Sequence, residues 1–424
     1  VAGSLAAKVA EMATLVVLAT LVPRVLGPSD FGRFAVLLTI VTLGSLALTL
    51  GGATVMVRFV PAAPPGERVA IARAIGGRLA RGRVAQLVLL AMVACTAALV
   101  DRSHFPLVDT AVVFAALALN VLTSLGLQTT LGLGRTGAWS ARWPLQNAVL
   151  IAAVILLDAP FGMTGATVAI LLSAIVGAVL ATVSVAPVFT ATGARAAVPP
   201  GAIHFGVIQA GAAALVQFAQ RGGVLAVALL AGSTIQTGYA ALAAGIALGA
   251  TYAILQTFTV SVPHLDHGHA PLDGPHSGEP TLRRLAALLL TVIVPLAALT
   301  ALFAPYLVPR VFGSDYRGAI AAFGPAVALV VLAPLTALLV QVSALRLRPD
   351  VALLAGIVTA GAFVLVAVVT VPGAGAVGAV FATLTGAALG TLVAARALPG
   401  AAGGRLVVSS YASAVLVLVL SWLA

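Results

Sequence analysis

The chain has 424 residues, of which 61% are apolar and only 8% charged, with a mean hydropathy of +1.17. A soluble domain carries roughly 45–50% apolar and about 25% charged residues. So few charges cannot coat a water-facing surface of this size, which excludes a cytosolic enzyme and a disordered chain. Charge-free stretches of about 18 or more residues recur along the whole length, the signature of a polytopic membrane protein. The net charge of +11 therefore reads as a topology signal and not as a nucleic-acid surface. Every basic residue but Lys8 is Arg, and with abundant Ala, Gly and Val this suggests a GC-rich bacterial genome. The single cysteine, Cys95, makes an intrachain disulfide impossible and leaves little basis for a cysteine metal site. The first apolar run lacks a small-residue cleavage site and leads straight into the next, so no separate signal peptide is expected.

Placed by their charged flanks, the predicted spans run in chain order over residues 5–26, 31–57, 84–100, 110–133, 143–157 and 164–188. After a break come 204–231, 237–262, 285–308, 318–345, 351–371, 377–395 and a thirteenth at 406–424. The third is bracketed by Arg83 and Asp101. The fifth is short: fifteen helical residues rise about 22 Å against a hydrocarbon core of ~30 Å. Trp139, Arg142 and Trp143 at the interface would extend it.

Connections alternate sides, so the basic residues orient them. Of the 22, Arg24, Arg33, Arg102, Arg310 and Arg317 fall on one side and Arg221 within a span, leaving sixteen on the other. This bias places the N-terminus in the cytoplasm and the thirteenth span's end outside. The outer loops are short and leave no room for an external domain.

The chain repeats itself at an offset of 213 residues. Gly165, Ala166, Ala169, Leu171, Ala174 and Gly177 meet Gly378, Ala379, Ala382, Leu384, Ala387 and Gly390, with Pro160 and Pro372 just upstream. The stretch from Gly27 through Gly32 to Ala35 resembles that from Gly232 through Gly238 to Ala240. Spans one to six thus correspond to seven to twelve, in the same orientation. The expected fold is an all-α integral membrane protein: two six-helix bundles related by a parallel pseudo-two-fold repeat, plus one extra C-terminal helix. Residues 1–195 form the first bundle, 196–400 the second and 401–424 the additional helix.

The stretch Arg24-Val-Leu-Gly27-Pro-Ser-Asp-Phe31-Gly32-Arg-Phe-Ala35 resembles the R-x-L-G-x-x-x-F-G-x-x-A signature of Wzx-type polysaccharide repeat-unit flippases. These belong to the multidrug/oligosaccharidyl-lipid/polysaccharide exporter superfamily. Gly51-Gly52 followed by Arg58-Phe59, Gly238-Tyr239-Ala240, Pro263-His264-Leu265, and Phe312-Gly313-Ser314-Asp315-Tyr316 are similar to further points of that family. The resemblance covers spans one to twelve; the thirteenth departs from a twelve-helix pattern. It implies a flippase for a lipid-linked oligosaccharide bearing a pyrophosphate, serving O-antigen or exopolysaccharide assembly at the cell envelope. It also implies a cavity lined by the first and seventh helices, alternating access by rocking of the two halves, and the bacterial cytoplasmic membrane as location. Membrane lipids are the other partners, a monomer is expected, and neither cofactor nor nucleic acid is required.

A pyrophosphate headgroup calls for cationic and polar groups inside the membrane. Arg221 lies well inside span seven, and Gln217 and Gln220 share its face by i, i+3, i+4 spacing. It is read either as a phosphate or sugar contact or as an arginine that pairs with Glu11 or backbone carbonyls. Lys8 and Glu11, three apart on span one, form either a gate or proton-coupling site or, as favoured, a local ion pair. Asn120, Ser124 and Gln128 make a polar stripe on span four, as Tyr252 and Gln256 do on span eight; such stripes more often bind neighbouring helices than ligands. Arg58 joins the basic segment from Arg68 to Arg83, read first as topology and second as pyrophosphate capture. His264, His267, His269 and His276 with Asp266 and Asp273 have metal-ligand chemistry, but the surrounding Gly and Pro favour a solvated loop, and no metal is assigned.

Two other functions compete. A cation-coupled multidrug exporter of the same superfamily needs buried carboxylates, of which only Glu11 falls within a span; a lipid II flippase is a close variant of the first reading. A membrane enzyme needs a constellation of catalytic acids or bases, and the isolated Asp30, Asp101, Asp109, Asp158 and Asp315 form none. No phosphate-binding glycine loop followed by Lys is present, so direct ATP hydrolysis is disfavoured.

Overall fold

A computed structural model describes residues 2–49, 51–100, 107–190, 196–261, 289–345, 349–395 and 401–423. Among them there is no strand. Hydrocarbon offers no partner for backbone N–H and C=O groups, so apolar runs become helices that satisfy their own. In chain order these are α1 (Ala2–Thr49), α2 (Gly52–Phe59), α3 (Arg68–Val100), α4 (Leu107–Gly132), α5 (Thr136–Thr190), α6 (Ala202–Leu230) and α7 (Thr234–Ser261). A π-helical turn (Leu289–Ile293) leads into α8 (Val294–Phe312), and a 3-10 turn (Ser314–Ala319) into α9 (Ile320–Leu345). Then follow α10 (Pro349–Ala394) and α11 (Ala401–Leu423).

Three of these are too long for one crossing. At 48, 55 and 46 residues, α1, α5 and α10 would measure roughly 70–80 Å if straight, against a hydrocarbon core of ~30 Å. Each breaks at a glycine whose backbone an L side chain resists: Gly27 (φ 70°, ψ 169°), Gly162 (φ 55°, ψ −138°) and Gly375 (φ 52°, ψ −123°). Beyond Gly162 the chain folds back on itself. Gln146 Nε2 donates to the carbonyl of Ser173 at 3.1 Å, 27 residues on, which a straight helix would place about 40 Å away. Gly165 packs on the Leu157 carbonyl, and Gly378 on that of Thr370, whose Oγ1 donates to the Gly378 carbonyl at 3.0 Å. Gly162 and Gly375, and the two contacts beside them, stand at the 213-residue offset of the sequence repeat, so the repeat is also one of local geometry.

Nine described helices are long and apolar enough to cross a membrane. With α1, α5 and α10 each divided at its glycine, and the shorter apolar segment Val407–Trp422 added, the described residues hold thirteen apolar helical segments. Two predicted spans are corrected. The fifth is not short, because its helix starts at Thr136 and continues to Gly162. The third, expected at 84–100, lies on a longer helix that starts at Arg68, with Arg83 buried in its middle instead of at its end.

The chain packs as two units, Val1–Val25 with Leu37–Gly211, and Leu26–Val36 with Ala212–Ala424. In unit one, α4 packs against both arms of α5 and against α3, over a core of Val55, Met56, Ile75, Val121 and Leu125. In unit two, α9 is surrounded by α7, α8, α10 and α11, with Phe323, Leu329, Leu332 and Phe363 buried between them. Small residues set the spacing, as expected where close packing replaces the hydrophobic effect. A Cβ on Gly238 would overlap the backbone carbonyl of Pro28, and one on Gly32 that of Thr234. Ser29 Oγ and Thr234 Oγ1 are hydrogen-bonded at 2.9 Å beside this contact. The F-G-x-x-Y stretch is likewise a packing device: Tyr316, 1% exposed, meets the rings of Phe312 and Tyr239 edge-on, and Tyr239 Oη donates to the Asp315 carbonyl at 2.9 Å.

Candidate functional site

In unit one the intramembrane polar residues converge on Arg142. It lies six residues into α5, about 9 Å along the helix, and is 4% exposed. Its Nε donates to Gln146 Oε1 at 2.9 Å, Nη1 to Ser124 Oγ at 3.0 Å and Nη2 to Asn120 Oδ1 at 3.3 Å. Its guanidinium carbon lies 4.6 Å from the centre of the Trp143 ring. The i, i+4 spacing aligns Arg142 with Gln146 on α5 and Asn120 with Ser124 on α4, and the antiparallel packing of the two helices brings the pairs together. Gln146 also donates to Asn120 Oδ1 at 3.3 Å. All these partners are neutral, and no carboxylate forms an ion pair with Arg142 among the described residues. Three of its five N–H groups are engaged in these bonds.

A second string runs from this cluster to α1. Asn147 Nδ2 donates to Thr14 Oγ1 at 3.3 Å, and Thr14 Oγ1 donates to the Glu11 carbonyl at 2.9 Å. Glu11, 3% exposed, accepts from Lys8 Nζ at 2.8 Å. The charges of Lys8 and Glu11 therefore neutralise each other, while that of Arg142 stands.

In unit two, Arg221 lies nineteen residues into α6 and nine before its end, roughly 29 and 14 Å along the helix. It is half-buried, and its Nε donates to Gln217 Oε1 at 3.3 Å. No carboxylate pairs with it among the described residues. Gln220 is buried beside it.

The other expected site residues are dispersed. Gln128 belongs to the same stripe as Asn120 but not to the Arg142 cluster: it packs on Gly52, and its buried Oε1 has no partner among the described residues. Arg58 is exposed, with its guanidinium over the rings of Phe205 (4.7 Å) and Phe59 (5.9 Å). Tyr252 is half-buried on α7; the side chain of Gln256 and the histidine-rich loop lie outside the described residues. Among the described residues no group of His, Cys, Asp or Glu could hold a metal.

Reading by charged flanks missed the centre of the cluster. By its place at the edge of an apolar run Arg142 reads as an interfacial boundary, which hides Gln146 and Asn147. The i, i+4 pairing of Arg142 with Gln146 in an otherwise apolar run was the available signal.

No protein-family model matches the chain, and no curated protein does. Solved structures do. The chain is similar to the lipid II flippase MurJ in an inward closed conformation, with a TM-score of 0.70 at 10% identity over 99% of this chain and 97% of that one. It is similar to a multidrug-resistance MATE family transporter of the MOP superfamily in its inward-facing conformation, with a TM-score of 0.54 at 16% identity over 95% of each chain. The Vibrio cholerae MATE transporter VcmN gives 0.54 at 13% identity, over 91% of this chain and 97% of that one. The chain thus shares the fold of these transporters, and its described residues are helical, with nine helices long and apolar enough for a multi-pass membrane protein.

Proposed function

We propose that the protein is a flippase that moves a lipid-linked oligosaccharide, a polysaccharide repeat unit on a pyrophosphate carrier, across the bacterial cytoplasmic membrane by alternating access. The observation that carries this reading is Arg142, buried in the membrane with only neutral partners. A buried cation without a carboxylate is costly, and such residues mark the paths of substrates or ions. Arg221 adds a second positive group without a carboxylate partner. Either centre by itself attracts a phosphate, and the amides and hydroxyls around Arg142 suit sugar hydroxyls. The lipid tail stays in the bilayer while the head crosses, so no covalent step is needed. The basic loops support a cytoplasmic N-terminus.

Lipid II is a second substrate reading, favoured by the shared fold with a lipid II flippase at a TM-score of 0.70. Cation-coupled drug export draws on Glu11, the one buried carboxylate among the described residues. Its ion pair with Lys8 weighs against it, because the pair leaves no net negative charge to hold a cation.

The test uses liposomes containing the full chain and a fluorescent oligosaccharide on a polyprenyl pyrophosphate. Loss of the label to an external glycosidase reports crossing. Transport by the wild type, abolished in Arg142→Gln and reduced in Arg221→Gln, is expected. Efflux of a cationic dye with no movement of the sugar lipid would replace the flippase reading by that of an exporter.

A further inference from the structure

Where α2 leads into the exposed loop that follows it, two aromatic rings of unit one hold a cation. Phe59 on α2 and Phe205 in the first turn of α6 meet edge-on, with ring centres 6.2 Å apart. The two segments approach closely because Gly51 lies where a Cβ would overlap the Gly206 carbonyl. The guanidinium carbon of Arg58 stands 4.7 Å from the centre of the Phe205 ring and 5.9 Å from that of Phe59. Arg58 comes nine residues after Thr49, where α1 ends, and Pro61, three residues on, is exposed like Ala62 and Pro64. The cation therefore sits where membrane-spanning chain gives way to solvent. Its neighbour Val57 is 50% exposed, so an apolar surface adjoins the charge.

Arg58 is exposed, and among the described residues its guanidinium makes neither a hydrogen bond nor an ion pair. Glu67, the next acidic residue along the chain, is exposed and in no ion pair among the described residues. Arg68, the next basic residue, is by contrast engaged: its Nε donates to the Ala63 carbonyl at 3.1 Å and its Nη2 to that of Pro61 at 3.0 Å. Contact with ring faces uses no N–H group of a guanidinium, so the five of Arg58 stay open to a ligand. The two rings also restrict a rotamer-rich side chain, which lowers the entropy lost on binding. An accessible guanidinium without a carboxylate partner, beside an apolar surface at the membrane border, complements an amphiphile with a phosphate head, whose oxygens match the planar fork.

We propose that Arg58, held by Phe205 and Phe59, is the capture site that first binds the pyrophosphate of the lipid-linked substrate, before the head moves on to the buried Arg142. The inference rests on the flippase reading and adds an order of events to it. One solvated guanidinium binds weakly and is screened by salt, so Arg58 governs how readily substrate is taken up from dilute solution in the bilayer and not the crossing of substrate already bound.

The test measures initial rates of transport against concentration of the fluorescent oligosaccharide on polyprenyl pyrophosphate, with the full chain in liposomes of pure phosphatidylcholine. Arg58→Gln is expected to raise KM about two- to fivefold, with kcat and melting temperature unchanged. Phe205→Leu keeps the charge but removes the ring that orients it, and should raise KM in the same direction. Arg58→Lys keeps the charge without the planar fork and should fall between Arg58→Gln and the wild type. Stabilisation by saturating farnesyl pyrophosphate should be the same in Arg58→Gln as in the wild type, because the buried site is intact. An unchanged KM in Arg58→Gln, or a fall in kcat instead, would overturn the capture role and leave the flippase reading standing. A rise in KM that appears only after phosphatidylglycerol is added would assign Arg58 to bulk anionic lipid and overturn the role as well. Absence of transport by the wild type would overturn the flippase reading itself, and the capture role with it.

Discussion

Replacing Arg142 by Met separates a ligand-binding role from a structural one. An arginine costs about 2.5–3.5 kcal/mol at the centre of a membrane helix and less towards its end, so this range is an upper bound for Arg142, about 9 Å into its arm of α5. Side-chain hydrogen bonds between membrane helices return about 0.6 kcal/mol each on average. Arg142 makes three, to Gln146, Ser124 and Asn120, so they offset about 2 kcal/mol, most of that cost. In Arg142→Met the insertion cost disappears with the three bonds. Gln146 keeps its contacts with Asn120 and the Ser173 carbonyl. The balance predicts a change in fold stability within about 1 kcal/mol. It also predicts loss of binding, because no cation is left to meet a pyrophosphate. Thermal unfolding of purified wild type and variant, with and without farnesyl pyrophosphate as probe, measures both. The wild type should be stabilised by the probe and the variant should not, while their ligand-free midpoints lie close together. A destabilisation of about 3 kcal/mol or more without ligand would refute the energetic argument. Undiminished stabilisation by the probe would refute the role of Arg142 as anion site.

Gly162→Ala and Gly375→Ala each force an L side chain into a backbone region open only to glycine; each should cost about 1–3 kcal/mol, read from denaturant midpoints in detergent. Lys8→Met leaves the buried Glu11 carboxylate without its ammonium and should destabilise more than the double variant Lys8→Met with Glu11→Gln. Equal melting temperatures for the two would show that the pair is energetically silent. Tyr316→Ala empties a site closed by Phe312 and Tyr239 and should cost about 3–5 kcal/mol by the same measurement, whereas Tyr316→Phe keeps most of the packing.

The helical fold was legible because its cause is local. Thirteen apolar runs between charged flanks needed no tertiary information, and Pro160 with Gly162 and Pro372 with Gly375 announced two of the sharp reversals. A charge inside a helix is, by sequence alone, indistinguishable from one at a helix end. Arg83 and Arg142 are ordinary boundary markers by composition; only the packing of α4 against α5 shows that Arg142 is supplied with partners at depth. The Lys8–Glu11 contact, set by one turn of a single helix, could be read from spacing. The link from Arg142 through Asn120 to Gln146 joins residues 22 and 26 positions apart on two helices, and no local rule places it. The family-like loop motifs were legible as motifs, yet their physical role emerged only with Gly32 and Gly238 fitted against backbone carbonyls.

The membership of Leu26–Val36 in unit two bears on how the protein is made. Ser29 leaves the ribosome 205 residues before its partner Thr234. At roughly 5–20 residues per second, the segment waits about 10–40 s in the membrane for the surface it packs on. Unit two is therefore not a stretch that synthesis can finish independently, since eleven of its residues arrive before any of the others. A gene cut between the sequence halves would yield a C-terminal fragment lacking the counterpart of Gly238, and co-insertion of both fragments would be needed to supply it.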